Sequence, residues 1–445
     1  MSGEELTGGV QTMFYRPRQA QTGRMWDTWL YFHDGTYYLY YLANCSDKWD
    51  NISLATSADG VAWREHGVVL LRREGVEWMG TGSTWKSPHY EQDGRFYVNF
   101  SEWRGPRQTI FFAESTDLMH WRMLGDANEF RQDERWYQAE GRWDCIWTIP
   151  CPGGGLYGYW TATPKRQGCF GFGRSDDGVT WEALQPPEAP GVGEGEVGAV
   201  AAIDDRYYML FGTGGMMVTL VAERPEGPFH PSAKNYHLLS GHTYFARFFP
   251  SPEGLLVNHH SIARDGSVCL GALKCARVDE VGTLRLTWWP GNQRIKDHLL
   301  QVPVSLSGGG GGDGIAFLDG CFNAQTGVIL EGPKPRGLYI EHDPGAGTAI
   351  FIGPDGVAEL GSMSQDGGDF ECDKRADRQC PFAETGRIRL LLKESMLEVY
   401  LEDILLECYS LPSAATGRIG VIPGDGAVDV DDWNAWGNYL PAGGR

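Results

Sequence analysis

The chain has 445 residues, of which 58 are acidic and 38 basic, giving a net charge of −20 at pH 7. This negative charge argues against nucleic acid or an anionic membrane surface as a partner, because both are bound through basic surfaces. No apolar run approaches the ~20 residues of a membrane-spanning helix, and the chain starts without the basic and apolar regions of a secretory signal. We therefore expect a cytoplasmic protein. Its length favours two domains.

A short strand pattern recurs five times in the first three hundred residues. Each copy is a strand, mostly aromatic-rich, that follows an acidic or glycine-rich turn. The five strand cores are residues 34–41, 93–100, 154–160, 205–211 and 253–258. A repeat period of roughly 50 to 60 residues lies in the range typical of solenoids, propellers and arrays.

A second repeat runs in phase with the first. The pattern Ser-x-Asp-x-x-x-Trp occurs at residues 57–63, 115–121 and 175–181, and we interpret it as a structural turn. Helical periodicity is nearly absent, and four short strands fit each unit. The sequence therefore predicts a five-bladed β-propeller over about residues 10–300. Two stacked sandwiches are the alternative, but they would not explain the common register of both repeats.

The remainder of the chain is also predicted to be β-structure, without the blade pattern. Residues 307–314 are glycine-rich and predict a linker or a long hairpin tip. Residues 387–393 and 396–401 predict two paired strands, and residues 338–341 and 417–422 fit the same system of sheets. The overall prediction is an all-β protein with a five-bladed propeller as catalytic domain (1–300), followed by a β-sandwich (301–445).

Three acidic residues occupy one position shortly before three of the strand cores: Asp27, Asp144 and Glu196. The innermost strands of a propeller line its central channel, so these side chains should converge. Two carboxylates that flank an acetal are what glycoside hydrolysis requires, one as acid and one as nucleophile or base. Crowded carboxylates raise one another's pKa, which keeps one of them protonated. Glu194 competes with Glu196, but the count to the fourth strand core favours Glu196.

Residues beside these positions are predicted to bind substrate: Trp26, Trp85, Lys86, Arg142, Trp143 and Arg247. The indole rings would stack on the apolar faces of sugars, and the cations would bind hydroxyls and limit repulsion among the carboxylates. Packing between blades is the alternative for the tryptophans, because neighbouring residues of a strand point to opposite faces. The ten cysteines contain no CxxC pair, and no histidines pair with carboxylates at metal-ligand spacing, so we predict neither a metal nor a cofactor.

These motifs resemble those of the five-bladed furanosidase superfamily, glycoside hydrolase families 32, 43, 62 and 68. Residues 27–40 resemble a family 43 strand with His-Asn/Asp-Gly-x-Tyr-Tyr-Leu, and residues 85–88 resemble that family's Trp-Ala-Pro. Residues 14–17 are similar to the Phe-x-Pro opening of family 32, and residues 142–144 to its Arg-Asp-Pro. Residues 389–400 resemble a strand pair of the family 32 sandwich. Thr28 follows Asp27 where the families have proline, which marks a divergent member.

The resemblance implies a role for each acidic residue. Asp27 would be the nucleophile, as in family 32, or the base, as in family 43. Glu196 would be the general acid, and Asp144 would stabilise the transition state by binding sugar hydroxyls, helped by Arg142. The predicted function is a glycosidase, a hydrolase or transglycosylase that cleaves a β-fructofuranoside or small fructan and binds an oligosaccharide or small glycoside. The alternatives are an inverting arabinofuranosidase or xylosidase and a non-catalytic carbohydrate-binding propeller.

Overall fold

A computed structural model describes residues 10–239, 241–295, 298–300, 316–319, 325–331, 336–352, 357–364, 370–379, 385–415, 418–422 and 434–437. The chain forms two compact units. The first holds the residues up to His260 together with Val268–Leu284, and the second holds Ser261–Ser267 and the chain from Arg285 onward. The predicted domain boundaries, 1–300 and 301–445, stay a prediction. The predicted linker at residues 307–314 lies outside the described residues.

The first unit consists of five groups of antiparallel strands, which are the five blades of a propeller. Blade one contains β1 (Gln11–Thr12), β2 (Arg24–His33), β3 (Thr36–Asn44), β4 (Asn51–Ser57) and β5 (Ala62–Leu71). Blade two contains β6 (Trp78–Met79), β7 (Thr84–Lys86), the short helix α1 (Tyr90–Asp93), β8 (Phe96–Arg104), β9 (Arg107–Ser115) and β10 (Arg122–Met123), followed by a 3₁₀ turn at Asp126–Asn128.

The other three blades follow in chain order. Blade three contains β11 (Trp143–Pro150), β12 (Leu156–Ala162), β13 (Gly171–Ser175) and β14 (Glu182–Ala183). Blade four contains β15 (Glu196–Ile203), β16 (Arg206–Thr213), β17 (Met216–Ala222), β18 (His230–Pro231) and β19 (His237–Leu239). Blade five contains β20 (Thr243–Ser251), β21 (Gly254–Ile262), β22 (Val268–Leu270) and β23 (Lys274–Val278). The strand β2 packs beside β20, which closes the ring.

Large aromatic side chains hold the blades together. Trp29 and Tyr40 of blade one pack with Phe100 and Phe111 of blade two. Between blades two and three the buried cluster includes Trp85, Phe112, Trp143 and Trp160, and between blades three and four it includes Tyr159, Phe172, Met209 and Phe211. Blades two and three are therefore apolar on both faces, which explains why their repeated strands are aromatic rather than strictly alternating.

The three Ser-x-Asp repeats form the same hydrogen-bonded turn. In blade three, Asp177 Oδ1 accepts hydrogen bonds from the backbone N–H groups of Val179 (2.8 Å) and Thr180 (2.6 Å) and from the Ser175 hydroxyl (3.1 Å). The equivalent aspartates, Asp59 and Asp117, make the same three contacts. The structural interpretation of this motif therefore agrees with the fold, in which a local side chain satisfies the turn's backbone donors.

The second unit is a β-sandwich, so the predicted all-β fold with a propeller followed by a sandwich is confirmed. One sheet contains β24 (Leu284–Trp288), β25 (His298–Leu300), β27 (Gln325–Glu331), β32 (Thr385–Lys393), β33 (Met396–Leu401), β34 (Ile404–Ser410) and β36 (Asn434–Gly437). The other contains β26 (Ala316–Asp319), β28 (Arg336–Asp343), β29 (Ala346–Ile352), β30 (Ala358–Ser364), β31 (Glu371–Ala376) and β35 (Arg418–Ile422). A 3₁₀ helix spans Pro290–Ile295.

The sandwich core comes from alternate residues of facing strands. Leu390 and Leu392 of β32 and Leu397 and Val399 of β33 are buried against residues of the other sheet such as Ile350. The predicted pairing of these two strands is present, with Lys393 opposite Met396. In the described part of the chain, no helix combines the length and the apolar character that a bilayer-spanning helix needs.

The blade turn generates a stability prediction. Asp177→Ala removes the acceptor of three hydrogen bonds and should lower the free energy of unfolding by about 1–2 kcal/mol at pH 7. Although burial acts to raise it, the pKa of Asp177 is lowered by the backbone hydrogen bonds from Thr180 and Val179. The contribution of a carboxylate with a lowered pKa is present above its unfolded value and lost as the pH falls.

Urea unfolding at pH 7 and at pH 3 measures this effect. The difference between wild type and Asp177→Ala should shrink at the lower pH. Asp176→Ala is the matched control, because Asp176 is the exposed neighbour and carries the same charge. An equal loss in both variants would show that the turn contributes no specific stabilisation.

Candidate active site

A cavity of about 600 Å³ opens in the propeller unit. Its lining combines carboxylates, cations and indole rings: Trp26, Asp27, Leu42, Asp47, Lys48, Trp49, Trp78, Gly80, Thr81, Trp103, Arg142, Asp144 and Glu196. Its size falls within the range of small-molecule sites. The structure thus brings the three acidic residues singled out in the sequence into one cavity.

A β-bulge lies at or near each of the three acidic residues. Asp27 is the extra residue between Trp26 and Thr28 in the pairing of β2 with β3, and its φ is +30°. In β11 the register shifts just after Asp144, where Cys145 has a φ of +57°. In β15 the shift falls between Val197 and Ala199. Bulges interrupt the alternation of side chains along a strand, so they re-aim individual residues.

Polar side chains of neighbouring strands clamp these bulges. The Asn99 amide donates to the Ile146 carbonyl and accepts from its N–H, both at 2.9 Å. The Asn258 amide donates to the Thr28 carbonyl at 3.0 Å, and the Val197 N–H donates to the Thr161 hydroxyl at 3.0 Å. The backbone groups that the bulges release from the ladder are thereby satisfied.

Asp144 is almost fully buried, with 5% of its surface exposed. Arg142 lies 3.6 Å from its Oδ2, and the side chain of Ser101 lies close by. A Cβ added to Gly80 would come within 2.1 Å of Ser101 Oγ and 2.8 Å of Asp144 Oδ1, so only glycine fits there. Burial raises the pKa of Asp144, whereas nearby Arg142 and Ser101 oppose the rise.

Glu196 begins β15 and has two direct partners. Arg142 Nη2 donates to its Oε1 at 2.7 Å, and the hydroxyl of Tyr244 donates to its Oε2 at 3.0 Å. Burial raises the pKa of Tyr244 and nearby Glu196 raises it further, so this hydroxyl keeps its proton. The two donors fix the carboxyl group of Glu196 at the wall of the cavity.

The carboxyl group of Asp27 lacks such partners. Its Oδ1 is enclosed and accepts no hydrogen bond. Burial raises the pKa of Asp27 well above its usual value, Glu196 raises it further, and Arg247 lowers it. Asp27 nevertheless lines the cavity and is only half-buried, so once it is ionised its carboxyl group is suited to attack a bound substrate or to hold a water molecule.

The structure leaves four of the predicted substrate-binding residues outside the cavity. Trp85 and Trp143 are buried between blades two and three, because each points to the face of its strand opposite the neighbouring inner-strand residue. The Lys86 ammonium lies over the ring of Tyr90 at 4.2 Å instead. Arg247 is completely buried and does not line the cavity. Trp26 and Arg142 do line it, whereas the competing Glu194 is an exposed residue outside the lining.

Sequence reasoning missed part of the lining. Two pairs of indole rings stack along the cavity, Trp26 with Trp49 (centroids 6.2 Å apart) and Trp78 with Trp103 (5.4 Å). Trp49, Trp78 and Trp103 lie outside the repeat pattern, so their distance from a strand core could not select them. Tyr244 is on the same inner strand as Arg247, directly before Phe245, which has a φ of +49°.

The carboxylates of the site have cationic neighbours. Arg142 contacts both Asp144 and Glu196, and Arg247 interacts electrostatically with Asp27 and Asp144. These guanidinium groups partly compensate the negative charge of the acidic cluster.

The fold resembles that of solved enzymes named as a fructan exohydrolase, a β-fructofuranosidase and a sucrose-6-phosphate hydrolase. Fructan 1-exohydrolase IIa from Cichorium intybus superposes with a TM-score of 0.70 at 13% identity, covering 98% of both chains. A GH32 β-fructofuranosidase mutant from Bombyx mori, solved with sucrose, gives 0.68 at 13% identity over 97% of this chain and 94% of that one. Sucrose-6-phosphate hydrolase from Lactobacillus gasseri gives 0.65 at 14% identity over 93% of each chain. No sequence family and no curated protein matches the chain.

The two kinds of tryptophan should respond differently to removal. Trp143→Ala empties a fully buried position and should cost about 3–5 kcal/mol of unfolding free energy. Trp26→Ala removes a half-buried ring from the cavity wall. It should instead weaken oligosaccharide binding by about 3- to 10-fold, since the packing of an aromatic ring on a ligand is worth about 1 kcal/mol.

Urea unfolding and titration calorimetry of both variants make the comparison. A loss of binding in a folded Trp143→Ala protein with full binding in Trp26→Ala would contradict the placement of these rings.

Proposed function

We propose that this protein is a glycoside hydrolase that cleaves a β-fructofuranoside, such as sucrose or a small fructan, through a carboxylate nucleophile and a glutamic acid. The observation that carries the proposal is the joint presence of Asp27, Asp144 and Glu196 in one cavity with Arg142. The similarity in fold to enzymes named for fructofuranosides supports the choice of sugar. Transfer to an acceptor other than water is the same chemistry with a different final nucleophile.

The reaction would proceed in two displacements. In the first, Asp27 attacks the anomeric carbon, the bond from that carbon to the leaving oxygen breaks, and Glu196 gives its proton to that oxygen. In the second, Glu196 takes a proton from water, the water oxygen bonds to the anomeric carbon, and the ester to Asp27 breaks. The overall outcome is retention of configuration.

The remaining residues of the cavity would bind and orient the sugar. Asp144 lines the cavity and would accept a hydrogen bond from a substrate hydroxyl. Arg142 lies between Asp144 and Glu196 and would hold a second hydroxyl beside the acid. Such contacts stabilise the transition state when they strengthen as the ring flattens. The two tryptophan pairs would enclose the leaving group.

A hydrolysis screen tests the proposal. Sucrose, inulin, levan, an aryl arabinofuranoside and an aryl xyloside are incubated with the protein, and NMR follows the first anomer released. We expect hydrolysis of a fructofuranoside with retention. Cleavage of the arabinofuranoside or xyloside with inversion would favour the alternative glycosidase. Binding of sugars without cleavage of any substrate would favour a carbohydrate-binding propeller.

Replacing the acid should produce a dependence on the leaving group. Glu196→Gln keeps the shape of the side chain but cannot donate a proton, so turnover of sucrose should fall by about 10²–10⁴-fold. A substrate with an activated aryl leaving group needs little protonation and should retain most of its rate in the first displacement. Asp27→Asn should abolish turnover of both substrates, because it removes the nucleophile.

Glu194→Gln is the matched control, two residues away and exposed. It should leave both rates unchanged. If Glu194→Gln shows the dependence on the leaving group and Glu196→Gln does not, the acid is wrongly assigned.

A further inference from the structure

Trp78 and Trp103, two of the four tryptophans that line the cavity, face each other across β6 and β8. Their rings are nearly parallel, with an interplanar angle of 14° and centroids 5.4 Å apart. Such a pair presents a broad apolar surface, which suits the apolar face of a sugar ring. Trp78 lies on a strand of only two residues at the edge of blade two, so its position depends on what fixes that strand.

The register of β6 with β8 places this tryptophan pair beside Asp144. Gly80 follows Trp78 by two residues, and its N–H donates to the Ser101 carbonyl at 2.8 Å. Ser101 in turn precedes Trp103 by two residues, so both pairs share one face of the ladder. A Cβ added to Gly80 would lie 2.8 Å from Asp144 Oδ1. The tryptophan pair therefore lies about 7 Å along the strands from the level of Asp144.

The next side chain of β8, that of Glu102, is a carboxylate with none of its surface exposed. Arg73 binds it through two nitrogens, with Nε 2.6 Å from Oε1 and Nη2 2.7 Å from Oε2. Arg104 Nη2 lies 2.8 Å from the same Oε2. Bidentate pairs between a guanidinium group and a carboxylate are strong and fix the direction of both partners.

This ion pair ties the chain before β6 to β8. Arg73 belongs to the segment that leads from blade one to β6, and Met79 of β6 lies opposite Glu102 in the ladder and is fully buried. Arg73 is itself held by Asp126 at 2.9 Å and by the ring of Phe111, whose centroid lies 4.1 Å from the guanidinium carbon. Neighbouring residues of a strand point to opposite faces, so the ion pair supports the ladder from behind the tryptophans.

We propose that Glu102 is a positioning residue, which holds β6 against β8 and thereby keeps the tryptophan pair as a rigid platform for the sugar unit next to the one bound at Asp144. The inference rests on the proposed function, because it names the part of that function's substrate which the platform selects. A fructoside whose leaving group is a sugar, such as sucrose or 1-kestose, would reach the platform. A methyl fructoside would not.

The kinetic test compares sucrose with methyl β-fructofuranoside. In Glu102→Gln, KM for sucrose should rise by about 3- to 10-fold, the value of one aromatic contact, with little change in kcat. KM for the methyl fructoside should stay unchanged.

Glu114→Gln is the matched control for this test. Glu114 belongs to the same blade, is largely buried and is also held by two arginines, Arg95 and Arg122, but it lies outside the cavity lining. Its replacement should leave both KM values unchanged.

A double variant shows whether Glu102 acts through the platform. Trp78→Ala should raise KM for sucrose by a similar factor, and adding Glu102→Gln should raise it little further, whereas independent effects would multiply. Circular dichroism gives a readout without substrate, because two stacked indole rings couple their far-ultraviolet transitions. The band that Trp78→Phe removes should weaken in Glu102→Gln and persist in Glu114→Gln.

The outcomes separate this inference from the proposed function. If the wild type cleaves fructosides but Glu102→Gln leaves KM for sucrose unchanged, or raises it equally for both fructosides, the platform is overturned and the proposed function stands. Effects that multiply in the double variant overturn it as well. If the wild type cleaves no glycoside, titration calorimetry with 1-kestose and fructose decides. Weaker binding of 1-kestose alone in Glu102→Gln supports the platform although the glycosidase proposal falls, and absence of sugar binding overturns both.

A milder variant keeps the test available if Glu102→Gln does not fold. Arg73→Lys retains the charge but loses the bidentate contact. It should raise KM for sucrose by a smaller factor and leave KM for the methyl fructoside unchanged. An unchanged ratio of the two KM values would overturn the role of the ion pair.

Discussion

The compensation of buried charge governs the centre of this propeller. Asp27, Asp144 and Glu196 meet in one cavity, where each would repel the others if all were ionised. Arg142 at the cavity wall and the buried Arg247 offset this repulsion. Such an arrangement does not maximise stability, since apolar packing would cost less. Its value lies in the shifted pKa values that it creates, since burial raises the pKa of both Asp27 and Asp144.

The backbone of the inner strands is shaped to hold this cluster. Asp27 and Cys145 adopt positive φ angles that cost free energy for residues with a side chain. The clamps from Asn99, Asn258 and Thr161 recover hydrogen bonds that the bulges would otherwise lose. Because each clamp reaches from a neighbouring blade, the geometry of the site depends on the closed ring. Aromatic packing between blades supplies the rigidity on which the carboxylates rely.

The fold and the positions of the acidic residues could be predicted because the strand and turn motifs repeat along the sequence. Each blade repeats a strand and a turn, and the offset from the strand core selects Asp27, Asp144 and Glu196. Repetition does not reveal the direction in which a neighbouring side chain points. The sequence therefore could not show that Trp85 and Trp143 pack between blades. For the same reason, the sequence could not show that the side chain of Arg247 is completely buried. Trp49, Trp78 and Trp103 line the cavity from positions without a repeat.

The central claim is that the cavity binds a furanoside between Asp27 and Glu196. A crystal structure of Asp27→Asn grown with sucrose or 1-kestose tests it most directly, because we expect this variant to bind its substrate without turning it over. The account predicts a furanose ring in the cavity, with its anomeric carbon beside residue 27, its leaving oxygen within hydrogen-bond distance of Glu196 and its hydroxyls on Asp144. A sugar bound elsewhere on the propeller, or a ring whose leaving oxygen faces away from Glu196, would contradict it.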